Sequence, residues 1–138
     1  MKTFTITMPL RFYIPRKTVK DITVSTNLNF YRNCNQFILG DFKHLYDDLA
    51  QERLKPFKAL RYQKISITYT VFVPSKRRSD IGNWCAIQDK FFADSLTKSG
   101  IIEDDDFLHV PEITFKYGGI DPDKKGYCDI TVTELFQQ

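Results

Sequence analysis

The chain has 138 residues, 42% of them hydrophobic, including 12 Phe, 7 Tyr and 1 Trp, which is one domain's worth of sequence and enough apolar mass for a core without staples. A net charge of +3 argues against a polybasic or polyacidic tail protein. Three well-separated cysteines, Cys34, Cys85 and Cys128, argue against a disulfide framework and a C-x-x-C zinc site, and imply a reducing, cytoplasmic setting. The opening MKTFTITMPLRFYIP lacks the apolar run of a signal peptide. No segment approaches the roughly 18 apolar residues of a membrane span, so no membrane partner is expected.

In chain order, Thr3–Met8 alternates threonine with Phe4, Ile6 and Met8 and reads as a strand interrupted by Pro9. Arg11–Asn27 reads as irregular or extended. Between Asn33 and Glu52, Phe37, Ile38, Phe42, Leu45 and Leu49 recur at helical spacing, with Gly40 weakening the start and the firm part running from Asp41 to Glu52. Lys64–Pro74 alternates Ile65, Ile67, Tyr69, Val71 and Val73 with Ser66, Thr68 and Thr70, a strand with one buried face. After Lys76-Arg77-Arg78, Ser79 or Asp80 caps a helix from about Gly82 to Lys98, which Gly100 stops. The acidic turn Glu103–Asp106 follows. Then come two strands, His109–Tyr117 and Tyr127–Leu135, joined by GGIDPDKKG. The order β-α-β-α-β-β predicts a single α/β (α+β) domain over 1–138, a mixed β-sheet with packed helices.

Charge is unevenly distributed. Arg53–Arg78 holds eight Lys or Arg and no acid, whereas Ser79–Gln138 holds twelve Asp or Glu against five Lys. The first stretch can attract phosphate and the second can hold a divalent cation. On a helix, Asn83, Lys90 and Asp94 fall at i, i+7 and i+11, the last two each within about 20° of Asn83, so they form a polar stripe beside Trp84, Ile87, Phe91, Phe92 and Leu96. Asp80 precedes this helix, and Asp104 and Asp105 follow it. Hard divalent cations held by carboxylates activate water and neutralise a leaving oxygen in phosphodiester cleavage, and a neighbouring lysine stabilises the transferring phosphate. Taken one at a time, Asp80 as a plain helix cap, Glu103–Asp106 as a solvated turn and Lys90–Asp94 as a surface i,i+4 pair explain the same residues.

The segment SDIGNWCAIQDKFFADSLTKSGIIEDDD resembles the signature of the RusA family of Holliday junction resolvases: an Asp-x-Asp-Asn start, a helix lysine, an Asp-Ala-Leu-like step, then Gly-Ile-Ile-x-Asp-Asp. Asp80, Asn83, Lys90, Asp94-Ser95-Leu96, Gly100-Ile101-Ile102 and Asp104-Asp105 carry the match. The preceding KRR, the upstream LNFYRNCNQFILGDFKHLY and the closing CDITVTEL are similar as well. The resemblance implies a homodimer that nicks four-way junction DNA in paired fashion with Mg²⁺ (Mn²⁺ as the alternative), in recombination and repair, in a bacterial cell or encoded by a phage or prophage. It implies Asp80 and Asp105 as leading metal ligands, and Asp94 and Asp104 as ligands or their anchors. Lys90 is assigned to phosphate charge and Asn83 to orienting a carboxylate or metal-bound water. Lys76, Arg77 and Arg78 are assigned to the DNA backbone, with Lys55, Lys58 and Arg61 as weaker contributors.

Two departures stand out. Gly82 occupies the position of the family's second aspartate, and Asn83 to Asp94 is about one helical turn longer than in compact members. Asp89, at i+6 from Asn83, points about 120° away from the stripe and is set aside as a replacement. Loss of a ligand at Gly82 leaves a second expectation, a protein that binds branched DNA without cutting it. A Ca²⁺ site in the Glu103–Asp106 turn ranks lowest, because no 12-residue loop of alternating oxygen ligands is present.

Overall fold

A computed structural model describes residues 2–17 and 20–136. The elements, in chain order, are β1 (Thr3–Pro9), β2 (Arg11–Ile14), β3 (Ile22–Ser25), α1 (Leu28–Asn33), α2 (Gln36–Leu54), β4 (Ile65–Val73), α3 (Ile81–Ser99), β5 (Glu112–Ile120) and β6 (Tyr127–Glu134). A short 3₁₀ turn, Lys55–Phe57, closes α2. The fold is a mixed sheet with packed helices, as the alternation of patterns predicts. It holds more elements than β-α-β-α-β-β: the stretch Arg11–Asn27 forms the antiparallel hairpin β2–β3, and a short helix precedes α2. Thr18 and Val19, within that stretch, lie outside the described residues.

Alternation in β4 becomes burial. Ile65, Ile67, Tyr69, Val71 and Val73 are buried, and the residues between them are partly exposed. The main sheet runs β1-β6-β4-β5, with β6 antiparallel to both β1 and β4, and β5 parallel to β4. Parallel neighbours need a long crossover, which α3 supplies. Its buried stripe, Trp84, Cys85, Ile87, Gln88, Phe91, Phe92, Ser95 and Leu96, packs beside the α2 stripe Phe42, Tyr46, Ala50 and Leu54. Each large side chain buried in this layer stabilises by about 1.5–3 kcal/mol. The opposite sheet face is largely polar, apart from the stacked Phe72 and Tyr127 rings. Rows of hydroxyls cross it, such as Thr5–Thr131–Thr68–Thr114, with Thr5 and Thr131 hydrogen bonded at 2.8 Å.

Both helices start where polar side chains can cap them. Asn35 accepts from the Ile38 N–H at 2.9 Å, and Asp80 accepts from the Gly82 N–H at 2.9 Å. Gly100 ends α3 with φ of 82°, the left-handed conformation that glycine adopts without a Cβ penalty. Gly40 lies inside α2, so the helix starts earlier than Asp41 and packing outweighs its low propensity. One polar network threads the core. Tyr46 donates to Gln88 Oε1 at 2.7 Å, while Gln88 Nε2 donates to the Pro9 carbonyl at 3.1 Å and to Thr26 Oγ1 at 3.0 Å. It ties α2, α3, β1 and the segment after β3 together. Among the described residues no helix is long and apolar enough to cross a membrane.

Candidate functional site

The crossover decides where the charged segments sit. In a strand–helix–strand unit the loop into the helix lies at one end of the sheet and the loop out of it at the other. The basic segment Lys76–Arg78 leads into α3, and the acidic turn Glu103–Asp106 leads out. They therefore occupy opposite ends of the same unit, with α3 between them.

At the basic end, Asp80 is the cap of α3 and is exposed. It lines a groove of about 490 Å³ with Asn83, Trp84, Arg11, Arg77 and Arg78. Trp84 Nε1 donates to Ser79 Oγ at 3.1 Å, which fixes the loop just before the cap. A Cβ on Gly82 would come 3.3 Å from Asp80 Oδ1, so a side chain there would stand beside that carboxylate after a small shift of a flexible group. Lys76, Arg77 and Arg78 are all exposed. The structure thus gathers Asp80, Asn83 and the arginines at one place.

At the acidic end the turn folds back along α3. Ile101 accepts from the Tyr62 N–H at 2.8 Å, and His109 accepts from the Ile65 N–H at 2.8 Å, so both arms of the turn are pinned to the entry of β4. Within the turn, Asp104 Oδ1 accepts from the Asp105 N–H at 2.8 Å and Asp106 pairs with His109 Nδ1 at 2.6 Å. This return brings Asp105 into the field of Asp89, at the middle of α3. Burial is the largest cause of a raised Asp89 carboxyl pKa, and the Asp105 charge adds to it, against the hydrogen bond from Tyr69 that favours the anion. Asp105 is raised too, first by partial desolvation, then by Asp104 and by the charge of Asp94. Tyr69 donates to Asp89 Oδ1 at 2.7 Å from the buried face of β4, which fixes the carboxylate in place. Asp89, set aside on angular grounds, and Asp94 are thus the two helix carboxylates coupled to the acidic turn: the Asp105 charge raises Asp89, and the Asp94 charge raises Asp105.

The stripe Asn83–Lys90–Asp94 exists but does not converge. Asn83 and Asp94 are separated by about 16 Å along the axis at 1.5 Å per residue. Lys90 lies with its ammonium 5.7 Å from the Tyr31 ring centroid, toward α1. Asp94 opens into a groove between α2 and α3 with Lys43, His44, Asp47 and Lys98. By the same rise Asp80 is about 13 Å along the axis from Asp89, so of the two proposed lead ligands Asp80 lies at the start of α3, whereas Asp105 is coupled to Asp89 and Asp94 further along it. Among the described residues no three His, Cys, Asp or Glu side chains converge as a metal-binding group.

A pair of carboxylates still fits a hard cation of the Mg²⁺ type. That ion keeps several waters and takes one or two carboxylates, with substrate phosphate completing its shell. Asp89 and Asp105 are oxygen donors, each raised first by burial and then by a neighbouring carboxylate, a repulsion that a cation would relieve, and Asp104 is adjacent in sequence. Sequence reasoning missed the Tyr69–Asp89 contact, although a tyrosine at a core position of β4 is a signal, because its hydroxyl needs a partner when buried. The chain matches no protein-family model and no curated protein sequence.

Proposed function

We propose that this chain is a metal-dependent DNA endonuclease that acts on four-way junctions, in line with the motif it resembles. The observation that carries the reading is the Asp89 carboxylate, held by the Tyr69 hydroxyl at 2.7 Å on the buried side of α3, with the charge of Asp105 from the acidic turn acting on it. Asp89 and Asp105 would hold the cation, with Asp104 beside them. Bound there, Mg²⁺ or Mn²⁺ supplies an activated water and neutralises the leaving oxygen. Tyr69 keeps Asp89 oriented toward the turn. Lys76, Arg77 and Arg78 hold the DNA backbone, and Asn83 and Asp80 line the groove that the strand enters beside them. Lys90 would serve phosphate only by leaving the Tyr31 ring on α1, over which its ammonium lies. A homodimer suits the reading, since a two-fold pair presents equivalent sites to a two-fold junction.

The test is incubation of the protein with a labelled mobile four-way junction and a matched duplex, in Mg²⁺, Mn²⁺ or EDTA. Paired nicks in the junction, with either metal and absent in EDTA, are the expected result. Binding without nicks in every metal arm overturns it. The second reading, a binding-only junction protein, is favoured by one observation: Asp80 stands at the groove without an acidic neighbour at Gly82. The variant Gly82→Asp decides between them. Gly82 lies about 10 Å along the axis from Asp89 at 1.5 Å per residue, so the new carboxylate stands beside Asp80 and should leave the metal requirement of an active wild type unchanged. Cutting by Gly82→Asp alone assigns the natural chain to binding.

A further inference from the structure

The basic loop borders a second groove, on the side away from Asn83. Val73, Tyr117 and Ile120 form its apolar wall, and Lys76, Arg77 and Arg78 surround it, in about 340 Å³. No Asp or Glu lines it. Tyr117 is 58% exposed, the most exposed of the large apolar side chains on the edge strand β5. The two grooves share Arg77 and Arg78, so one pair of guanidinium groups faces both.

The ring is held there by the backbone. Tyr117 pairs with Val71, but the next pair is Phe72 with Gly119, which leaves Gly118 as an extra residue in β5. A Cβ at Gly118 would come 2.5 Å from the Phe72 ring, and that ring is itself stacked on Tyr127 at 4.4 Å. The bulge is therefore fixed from the opposite sheet face, and it keeps both Tyr117 and Ile120 on the side of the basic loop despite the shift in register. Phe115, one step back on the same face, meets Tyr69 edge-on at 5.9 Å and is less exposed.

A phosphate chain needs only the cations. A flat exposed ring beside them adds affinity for something with its own π-face and a nearby negative charge. In duplex DNA the base faces are stacked on one another, so such a face is offered only by an unpaired base. We propose that Tyr117 and the Lys76–Arg78 loop form a stacking platform for an unpaired DNA base, at a branch point or in a single strand, with its flanking phosphates on Arg77 and Arg78. The inference rests on the DNA-binding reading above and adds what the site distinguishes: unpaired from paired bases.

The test measures binding of three labelled DNAs, a four-way junction, a single strand and a duplex, by wild type, Tyr117→Ala and Tyr117→Phe. A parallel junction carries 2-aminopurine at the branch point. Tyr117→Ala is expected to weaken junction and single-strand binding about tenfold, with duplex affinity and the salt slope unchanged, because stacking carries no counterion release. Tyr117→Phe keeps the ring and should bind as wild type, and 2-aminopurine should be quenched by wild type and Tyr117→Phe only. Equal binding of the junction by Tyr117→Ala, or an equal loss on all three DNAs, overturns the platform alone. A fall in oligomeric mass with unchanged DNA affinity also overturns it and gives the ring to a protein contact. Failure of wild type to bind any of the three overturns the DNA-binding reading together with it.

Discussion

Asp89 and Gln88 are adjacent on α3 and do opposite work. Gln88 is buried and uses its amide to join three elements, whereas Asp89 accepts from the Tyr69 hydroxyl of β4. Replacing Gln88 by alanine would leave the Tyr46 hydroxyl and the Pro9 carbonyl unpaired in the core. The expected cost is about 2 kcal/mol, several degrees in Tm. Tyr46→Phe, which removes only one member of the network, should cost less in the same melt, and an unchanged Tm for Gln88→Ala would show that the network carries no net stability. For chemistry, Asp89→Asn and Asp105→Asn should each lower Mg²⁺-dependent nicking by at least about a hundredfold while junction binding persists, because asparagine keeps the shape and loses the charge a hard cation needs. Full nicking in both variants rejects the carboxylate pair as the metal site. The position of Asp89 was hidden in the sequence for a definite reason. A helical wheel reports angle and discards axial distance and tertiary neighbours. It grouped Asn83 with Asp94 and excluded Asp89, yet only the packing of α3 on β4 shows which side chain Tyr69 reaches.

The elements were legible where a pattern met a cap. The alternation of Ile65 to Val73 is β4, and Asp80 and Gly100 bound α3 within a residue of the expected ends. Hairpin β2–β3 was not legible, since four-residue strands give too short a period to separate from extended loop. The closing pair of strands was expected, but β5 runs Glu112–Ile120 rather than from His109, because Asp106 accepts from the His109 and Leu108 N–H groups and holds that stretch in a turn. A single loop, Pro74–Ser79, carries the electrostatic expectation. Lys76, Arg77 and Arg78 are exposed and border grooves on both flanks. Changing all three to alanine should weaken binding of four-way DNA and flatten its dependence on salt by up to about three counterions' worth of slope. Junction titrations at several salt concentrations read both quantities, and a slope equal to wild type assigns the phosphate contacts to another surface.

Over the whole molecule, the sheet was foreseeable as mixed, but the separation of charge was not. It follows from one parallel pair, β4 with β5, which sends the basic and acidic loops to opposite ends of α3. That separation leaves Asp89 under the charge of Asp105, and Asp105 under that of Asp104 and Asp94, with burial raising both carboxyl groups first. The sign of the linkage follows. Both carboxyl groups bind protons more readily folded than unfolded, so their contribution to metal-free stability is complete below the ordinary carboxylate range. It is lost as pH rises through their raised folded values. A bound cation reverses the balance by favouring the ionised pair. Stabilisation by Mg²⁺ should therefore be small in acid and grow as pH rises past those values. With free Mg²⁺ a hundredfold above its Kd the gain is about 2.7 kcal/mol, roughly 10 °C in Tm for a chain of this size. Asp89→Asn should melt higher than wild type without metal at neutral pH, because it removes the repulsion while its side-chain carbonyl still accepts from Tyr69. It should then show little response to Mg²⁺. Melts at two pH values, with NaCl at matched ionic strength as the control, measure all of this. If Mg²⁺ raised the Tm of wild type and Asp89→Asn equally, the cation would be binding elsewhere. If it raised neither, the two carboxylates would not form a metal site in the DNA-free protein, and the ion would have to arrive with the phosphate it serves.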